Sequence, residues 1–254
     1  CKLIVDYDDA IFHRYDVHRF YIIRFLFKNK IQSVMRSANV VIAGNKYLAN
    51  YAHSAGSKQV ELIPTVVDLS KYPVFKSNFQ SNLFNIGWIG SPSTTKYLFS
   101  IVPALVHMCK NDNVIVTLIG ADSIELPGVS LKIIPWSEEA EVECLSSLDV
   151  GIMPLPDELW ARGKCGFKLI QYMASGLPVI ASPIGVNKEI VDDGINGFLS
   201  ESNEQWIEAF EKLYKNVDMR AKMGAVGRKL IESKYCTNVT GVKVARLLRG
   251  LTKD

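Results

Sequence analysis

Short apolar runs, several of them rich in β-branched residues, alternate along the whole chain with stretches whose apolar positions recur at helical spacing. Runs that are apolar throughout read as strands buried on both faces. The amphipathic stretches between them read as helices covering parallel sheets, so the pattern predicts an α/β fold. Strands are expected over Lys2–Val5, Asn39–Ala43 and Val60–Ile63, with a long helix over Asp16–Ser37 and a short one over Tyr47–Ala55. From Pro64 to Asn82 the chain turns polar and rich in Ser, Asn and Lys, a candidate linker. A second series then begins. Its strands are expected over Phe84–Ile89, Val114–Ile119, Leu131–Ile134, Asp149–Met153 and Pro178–Ala181. Its helices are expected over Thr95–Cys109, capped by Thr94 or Thr95, Glu138–Leu148, capped by Ser137, Phe167–Ser175 and Val186–Val191. The turn DDGINGF (Asp192–Phe198) leads into a last short strand, and helices over Asn203–Lys215, Asp218–Ser233 and about 238–251 complete the pattern. The division that follows is a partial first domain over residues 1–75, a second domain over 76–235, and a C-terminal helical segment, 236–254, packing back toward the first.

Composition narrows the function. The chain has 254 residues, enough for two modest domains, and 48% hydrophobic residues can build cores for both. A net charge of +3 is too small to suggest nucleic acid as a partner. The five cysteines (Cys1, Cys109, Cys144, Cys165 and Cys236) are odd in number, scattered and free of any CxxC, which argues against a disulfide framework or zinc site and fits a reducing, cytoplasmic compartment. No apolar run approaches the roughly 18 residues that span a bilayer. The first residue is Cys1, not Met, with no signal-peptide pattern to account for it, and the chain reads as a fragment lacking upstream sequence.

The most informative stretch is DVGIMPLPDELWARGKCGFKLIQYMASGLPVIASPIG, Asp149 to Gly185, which reads strand, loop, helix, strand. Ligands of open parallel sheets sit at the carboxyl ends of strands, near helix N-termini. The loop RGKCGFK gathers Arg162, Lys164 and Lys168 at a helix start, with Gly163 and Gly166 leaving backbone amides accessible. Exposed cations there oppose the helix dipole by roughly 0.3–1 kcal/mol each, so the arrangement makes sense around an anion such as a diphosphate. The plain alternative is a solvated loop. A second loop, GWIGSPSTTK (Gly87–Lys96), offers Gly90, Ser91 and Thr94 as phosphate donors and Lys96 as a charge, without matching either GxGxxG or a P-loop.

With these residues in view, GKCGFKLIQYMASGLPVIASPIGVNKEIVDDGINGFL resembles the donor-binding signature of glycosyltransferase family 4, retaining enzymes of the GT-B fold. IVDYDDAIF (Ile4–Phe12), ANVVIAGN (Ala38–Asn45) and GWIGSPSTTKYL support the likeness in the family's order. The resemblance implies two Rossmann-like domains, the first incomplete here. It implies Lys168 as the principal cation on the donor diphosphate and leaving group, aided by Lys164 and Arg162. Lys96 would come from the opposite loop, beside Gly90 and Ser91. Gly163, Cys165, Gly166 and Phe167 would form the diphosphate loop, and Ile134 and Trp136 would lie at the base. It implies no metal or other cofactor, a nucleotide-sugar donor, and a glycan or lipid-linked acceptor. One departure stands out: the family's two glutamates, with seven residues between them, fall on Gly163 and Gln171. Gln171 can still bond a ribose hydroxyl, whereas Gly163 offers nothing to the sugar. Either Glu158 in the same loop compensates, or this branch works differently, or activity is weakened.

Weaker signals have bland counterparts. Asp6, Asp8 and Asp9 invite a metal, though capping or lining a cleft is the plainer reading, with Asp8 or Asp9 touching acceptor hydroxyls. His13 could reach the same cleft, or simply lie at the surface. The stretch 16–37 sets Arg19, Arg24, Lys28, Lys30 and Arg36 beside Phe20, Ile23, Phe27 and Ile31. It suits peripheral contact with anionic lipid on the cytoplasmic membrane face, or a helix with its apolar stripe on the sheet. Cys165 could have a lowered pKa among the cations, yet with no base in sequence it reads as structural. Two rival functions remain beside glycosyl transfer: a nucleotide-sugar epimerase of the same fold, and a non-catalytic nucleotide-sugar-binding module.

Overall fold

A computed structural model describes residues 2–73 and 83–252. Cys1 lies outside the described residues. So does 74–82, which holds the end of the expected linker and the boundary between residues 75 and 76.

The first unit is a parallel three-stranded sheet, β1 (Ile4–Tyr7), β2 (Val40–Ala43) and β3 (Val60–Leu62), in that order across the sheet. The central strand VVIA is buried throughout, as a parallel strand covered on both faces must be. The single helix expected over Asp16–Ser37 is three pieces: α1 (His13–Asp16), α2 (Tyr21–Phe27) and α3 (Lys30–Ser37). Strands of four residues extend about 13 Å, a length that the eight residues of α3 already match at about 12 Å. Only α3 therefore finds sheet to cover, burying Ile31 and Met35, while α2 buries no residue at all. Phe20, Tyr21, Ile22, Phe25, Leu26 and Phe27 are exposed, so the apolar stripe does not lie on the sheet over this part. The helix α4 (Lys46–Ser54) is capped by Asn45, whose side chain accepts from Leu48 N–H at 2.9 Å.

The start of the expected linker is fixed, not free. Val67 bridges to Cys236 and is buried, Asp68 accepts from Ser70 N–H at 3.0 Å to cap a 3-10 turn at Leu69–Lys71, and Tyr72 is buried.

The second unit is a parallel six-stranded sheet of β4 (Phe84–Ile89), β5 (Val114–Ile119), β6 (Leu131–Ile134), β7 (Val150–Met153), β8 (Val179–Ala181) and β9 (Gly197–Leu199), in spatial order β6-β5-β4-β7-β8-β9. Between β4 and β5 the chain makes 3-10 turns over Pro92–Ile101 before α5 (Val102–Met108). The longer helix expected there is interrupted because Pro103 supplies no N–H for a continuing ladder. Ser91, not Thr94 or Thr95, is the residue before the first turn, and Thr94 Oγ1 donates back to its carbonyl at 2.9 Å. The remaining helices are α6 (Glu141–Ser146), α7 (Leu159–Arg162), α8 (Phe167–Ala174), α9 (Asn187–Ile190), α10 (Asn203–Lys215), α11 (Val217–Lys234) and α12 (Thr237–Thr252). Ser202 and Gln205 form a capping box at α10. One core packs α5 and α10 on the sheet through Leu105, Met108, Trp206 and Phe210; the other packs α8, α9 and α11 through Leu169, Met173, Ile190 and Ile231. Along the edge at β3, α12 shares a groove with Glu61, Leu62 and Ile63 through Lys243, Arg246 and Leu247.

What positions a site is the seam where the winding reverses. Strands β4 and β7 pair only at Ile86–Val150 and Gly87–Gly151. Beyond that point Tyr172 of α8 takes the place of the ladder: its hydroxyl accepts from Ile89 N–H at 2.9 Å and donates to Ile152 O at 3.3 Å. Its ring lies on Gly151, where any β-carbon would enter it. A crevice at the carboxyl ends of strands on either side of such a reversal is where this sheet class binds ligands.

Candidate functional site

Three segments meet at that crevice: the loop after β4 (Gly90–Ser91), the loop after β7 (Pro154–Leu155) and the start of α8. Gly166 precedes α8 with φ +72°, a left-handed backbone that glycine adopts without strain, and a β-carbon there would strike Ile190. The turn carries the first helical residues, Phe167 and Lys168, into the crevice. The Lys168 ammonium lies 4.3 Å from the Trp88 ring centroid and 3.4 Å from Thr94 Oγ1. Gly90 makes room for it, since a β-carbon at that position would sit on both the ammonium and the indole. Burial first, and the neighbouring Lys164 second, push the Lys168 pKa down to about 7, with Asp9 opposing. A cation held this way is short of an anion.

Lys164 reaches the crevice from the other side and pairs with Asp9 of the first unit at 3.3 Å. Asp8, Asp9, Thr65, Lys164, Gly166 and Lys168 are among the walls of a cleft of about 320 Å³ between the units. Asp8 and Asp9 thus face the expected diphosphate loop across that cleft. Among the described residues no group of three or more His, Cys, Asp or Glu is placed to hold a metal ion.

The rest of the RGKCG loop does something the sequence did not suggest: it joins the two units. Asn45 donates through Nδ2 to the Gly163 carbonyl at 2.9 Å and the Lys164 carbonyl at 3.0 Å. Gly163 abuts Ala10, whose methyl occupies the space a β-carbon would need. Cys165 belongs to the core of the first unit and fills the space above Gly44. Burial raises its thiol to about 12, the opposite of an activated cysteine. Arg162 turns outward to a bidentate pair with Asp157, at 2.7 and 3.0 Å, and lies beside Tyr47 and Gly185 instead of with the two lysines. Lys96 is exposed, its ammonium 5.5 Å from the Tyr97 ring, and is not among the residues lining either part of the crevice. His13 also stays apart, bonded to Asp16 at 2.7 Å and to Tyr47 at 2.8 Å. Glu158 is the residue before α7 and is not among the residues lining either part of the crevice, although its charge acts on Tyr97 in the wall of the first.

A second compartment of about 380 Å³ continues from Lys168 and Phe167 to Gly90, Ser91, Trp136 and Gln171. Its floor depends on Gly120, at φ +77°, where a β-carbon would meet the Gly90 carbonyl and Trp136. Ile134 ends β6, its carbonyl accepting from Gly120 N–H at 2.9 Å, and does not itself line the compartment. One residue that sequence reasoning missed is Glu141, at the start of α6. Its Oε1 accepts from Tyr72 OH at 2.6 Å and Gln171 Nε2 at 2.8 Å, and its Oε2 from Trp136 Nε1 at 2.7 Å. The sequence carried no signal for it beyond an acidic first turn.

The comparisons fit this geometry. A family model described as glycosyl transferases group 1 matches residues 82–216, more than half of the chain. Spore coat protein SA of Bacillus subtilis (strain 168) is 33% identical over 66 residues, a stretch covering 25% of this chain and 18% of that protein. Sucrose-phosphate synthase of Thermosynechococcus elongatus superposes with a TM-score of 0.73 at 18% identity, over 98% of this chain and 68% of that one. Anabaena Alr3699/HepE, solved with UDP-glucose, superposes with a TM-score of 0.77 at 16% identity, over 98% of this chain and 72% of that one. A doubly wound sheet facing a smaller parallel sheet, with lysines in the crevice between them, is the GT-B arrangement, and the chain belongs to the glycosyl transferases group 1 family.

Proposed function

We propose that the chain carries the donor site of a retaining glycosyltransferase of family 4, a hexosyltransferase acting in polysaccharide biosynthesis. It would move a sugar from a nucleotide-diphosphate donor to a hydroxyl of a glycan or lipid-linked acceptor. The observation that carries the proposal is the pair of lysines, Lys168 and Lys164, facing one cleft at the start of α8 where β4 and β7 diverge. HepE, solved with UDP-glucose, shares the fold. In the proposed step the bond from the anomeric carbon to the diphosphate breaks, and its electron pair leaves on the diphosphate. The acceptor oxygen bonds to the same face of that carbon, and its proton passes to the departing diphosphate. Lys168 and Lys164 stabilise the charge that develops, so the scheme calls for no metal. Asp8 and Asp9 border the opposite wall, where an acceptor hydroxyl would approach.

A second reading, a module that binds nucleotide sugar without turnover, is favoured by Gly163. Its packing against Ala10 leaves no room for a carboxylate beside the sugar. Incubation with nucleotide sugars and glycan or lipid-linked acceptors separates the possibilities. The proposal expects a glycoside that keeps the donor's anomeric configuration, formed about 100-fold more slowly by Lys168→Ala. Free epimer formed without acceptor would replace the proposal with an epimerase. Binding without product would leave the module.

We also propose that the segment around α2 rests on anionic lipid at a cytoplasm-facing membrane surface. No helix among the described residues is long and apolar enough to cross a membrane. The exposed rings and aliphatic side chains of Phe20, Tyr21, Ile22, Phe25 and Leu26 are interleaved with Arg19 and Arg24, and no Asp or Glu occurs between Asp16 and Glu61. Apolar groups and uncompensated cations on one face match an acidic headgroup layer. The described cysteines, Cys109, Cys144, Cys165 and Cys236, are free thiols, which suits a reducing compartment. Co-sedimentation with phosphatidylserine vesicles is expected, weak with phosphatidylcholine alone and lost in Phe25→Ser/Leu26→Ser. Absence of binding to acidic vesicles contradicts the contact, as does self-association abolished by the same variant.

A further inference from the structure

The compartment beyond Lys168 is built around a fixed carboxylate that the family resemblance does not assign. Three neutral donors converge on Glu141: the Tyr72 hydroxyl, the Gln171 amide and the Trp136 indole N–H. Tyr72 comes from the segment after the first unit, Trp136 from the loop after β6 and Gln171 from α8, so three separate parts of the chain hold one side chain in place. A carboxylate offers about four acceptor positions, and these bonds use three. One remains, on Oε2, and Glu141 lines the compartment. Trp136 lines the same space and is 54% exposed, a large flat apolar surface left uncovered beside an anchored negative charge. Lys168 and Phe167 line both compartments, so a ligand with its anionic part on the lysines continues past them toward Glu141 and Trp136. The next group along must be compatible with a carboxylate acceptor and a flat apolar wall. Another anion is excluded beside Glu141. A hydroxylated sugar that carries a planar base meets both requirements.

We propose that Glu141 accepts a hydrogen bond from a ribose hydroxyl of the donor nucleotide, and that Gln171 holds Glu141 in position for it. The negative charge that the family resemblance expects at position 171 is carried instead by α6, one hydrogen bond away. This rests on the nucleotide-diphosphate reading of the lysine cleft. Trp136 borders the nucleoside, and Gln171 is a positioning residue through its Nε2, which donates to Glu141.

The test compares UDP, GDP and ADP with their 2′,3′-dideoxy counterparts by titration calorimetry, with inorganic pyrophosphate as the probe of the lysines alone. In the wild-type chain the nucleotide that binds is expected to lose at least tenfold in affinity when its ribose hydroxyls are removed. Glu141→Gln should abolish that discrimination while leaving pyrophosphate affinity unchanged. The exchange variant Glu141→Gln/Gln171→Glu returns a carboxylate to the same hydrogen-bonded pair from the other side and should recover the preference for ribose. It also keeps the test valid if the single variant folds poorly. Full discrimination in Glu141→Gln, or none in the wild type, overturns the assignment while pyrophosphate binding leaves the lysine cleft standing. If neither pyrophosphate nor any nucleotide binds the folded wild-type chain, both readings fall together.

Discussion

Lys168 shows why a charge in a sequence is only half of an electrostatic argument. Its place at a helix start was legible. That Gly90 leaves space for its ammonium against Trp88, and that burial then pushes its pKa down to about 7, depends on a strand 80 residues earlier in the chain. The shift has a consequence for binding. Without ligand, Lys168 is about half protonated near pH 7; a diphosphate beside it favours the charged form and raises its pKa. Nucleotide binding above pH 7 should therefore take up a proton, and affinity should fall as pH rises from 7 toward the bound-state pKa. Calorimetry in buffers of different ionisation enthalpy reads the uptake directly, and Lys168→Ala should remove it. The other cations show the opposite outcome. Arg162 was expected to aid Lys168 from the same loop, yet Asp157 five positions earlier draws it outward, and Lys96 sits over Tyr97 on the outside of its turn. Gly163 and Cys165 also pack on Ala10 and Gly44, partners some 120 to 150 residues away in sequence that no local pattern shows, while Cys165 still borders the cleft beside Lys164.

At the scale of elements, the parallel strands were legible because short runs dominated by β-branched and apolar residues, as in VIVTLI, leave little alternative to a buried strand. The long helix before β2 was misread for a physical reason. Phe20, Ile23, Phe27 and Ile31 keep helical spacing through all of it, and periodicity carries no information about how much sheet there is to cover. The start of the linker was misread similarly, since Val67 and Tyr72 are held by Cys236 and Glu141, partners beyond any local pattern. Helix α8 is the element on which the site depends, and Tyr172 is what fixes it across the divergence of β4 and β7. Removing only its hydroxyl leaves Ile89 N–H buried without a partner. Tyr172→Phe should destabilise the chain by about 1–3 kcal/mol, read as a lower denaturant midpoint, and should weaken nucleotide binding because Ile89 leads into the Gly90 loop. Unchanged stability would mean that the hydroxyl does not replace the ladder there.

At the scale of the molecule, the order of elements was enough to anticipate two parallel α/β units, and the Asp149–Gly185 stretch was enough to place the crevice. How the units meet was not legible. The buried part of the joint is made by Asn45, Gly44 and Ala10 on one side and Gly163 and Cys165 on the other, small and neutral residues whose role appears only when they touch. At its exposed rim Lys46 pairs with Glu189 and Arg14 lies over Trp160. The cleft they leave open, with Lys164 and Asp9 paired across it, is the basis for the proposed activity. The most direct measurement is thermal stability of the chain against UDP, GDP, ADP and their sugars, with Lys168→Ala alongside. One nucleotide class should raise the midpoint, adding about 2.7 kcal/mol at a hundred times its dissociation constant, and the variant should lose that gain. No shift with any nucleotide in a folded chain, or the same shift in the variant, would contradict a donor diphosphate seated at Lys168.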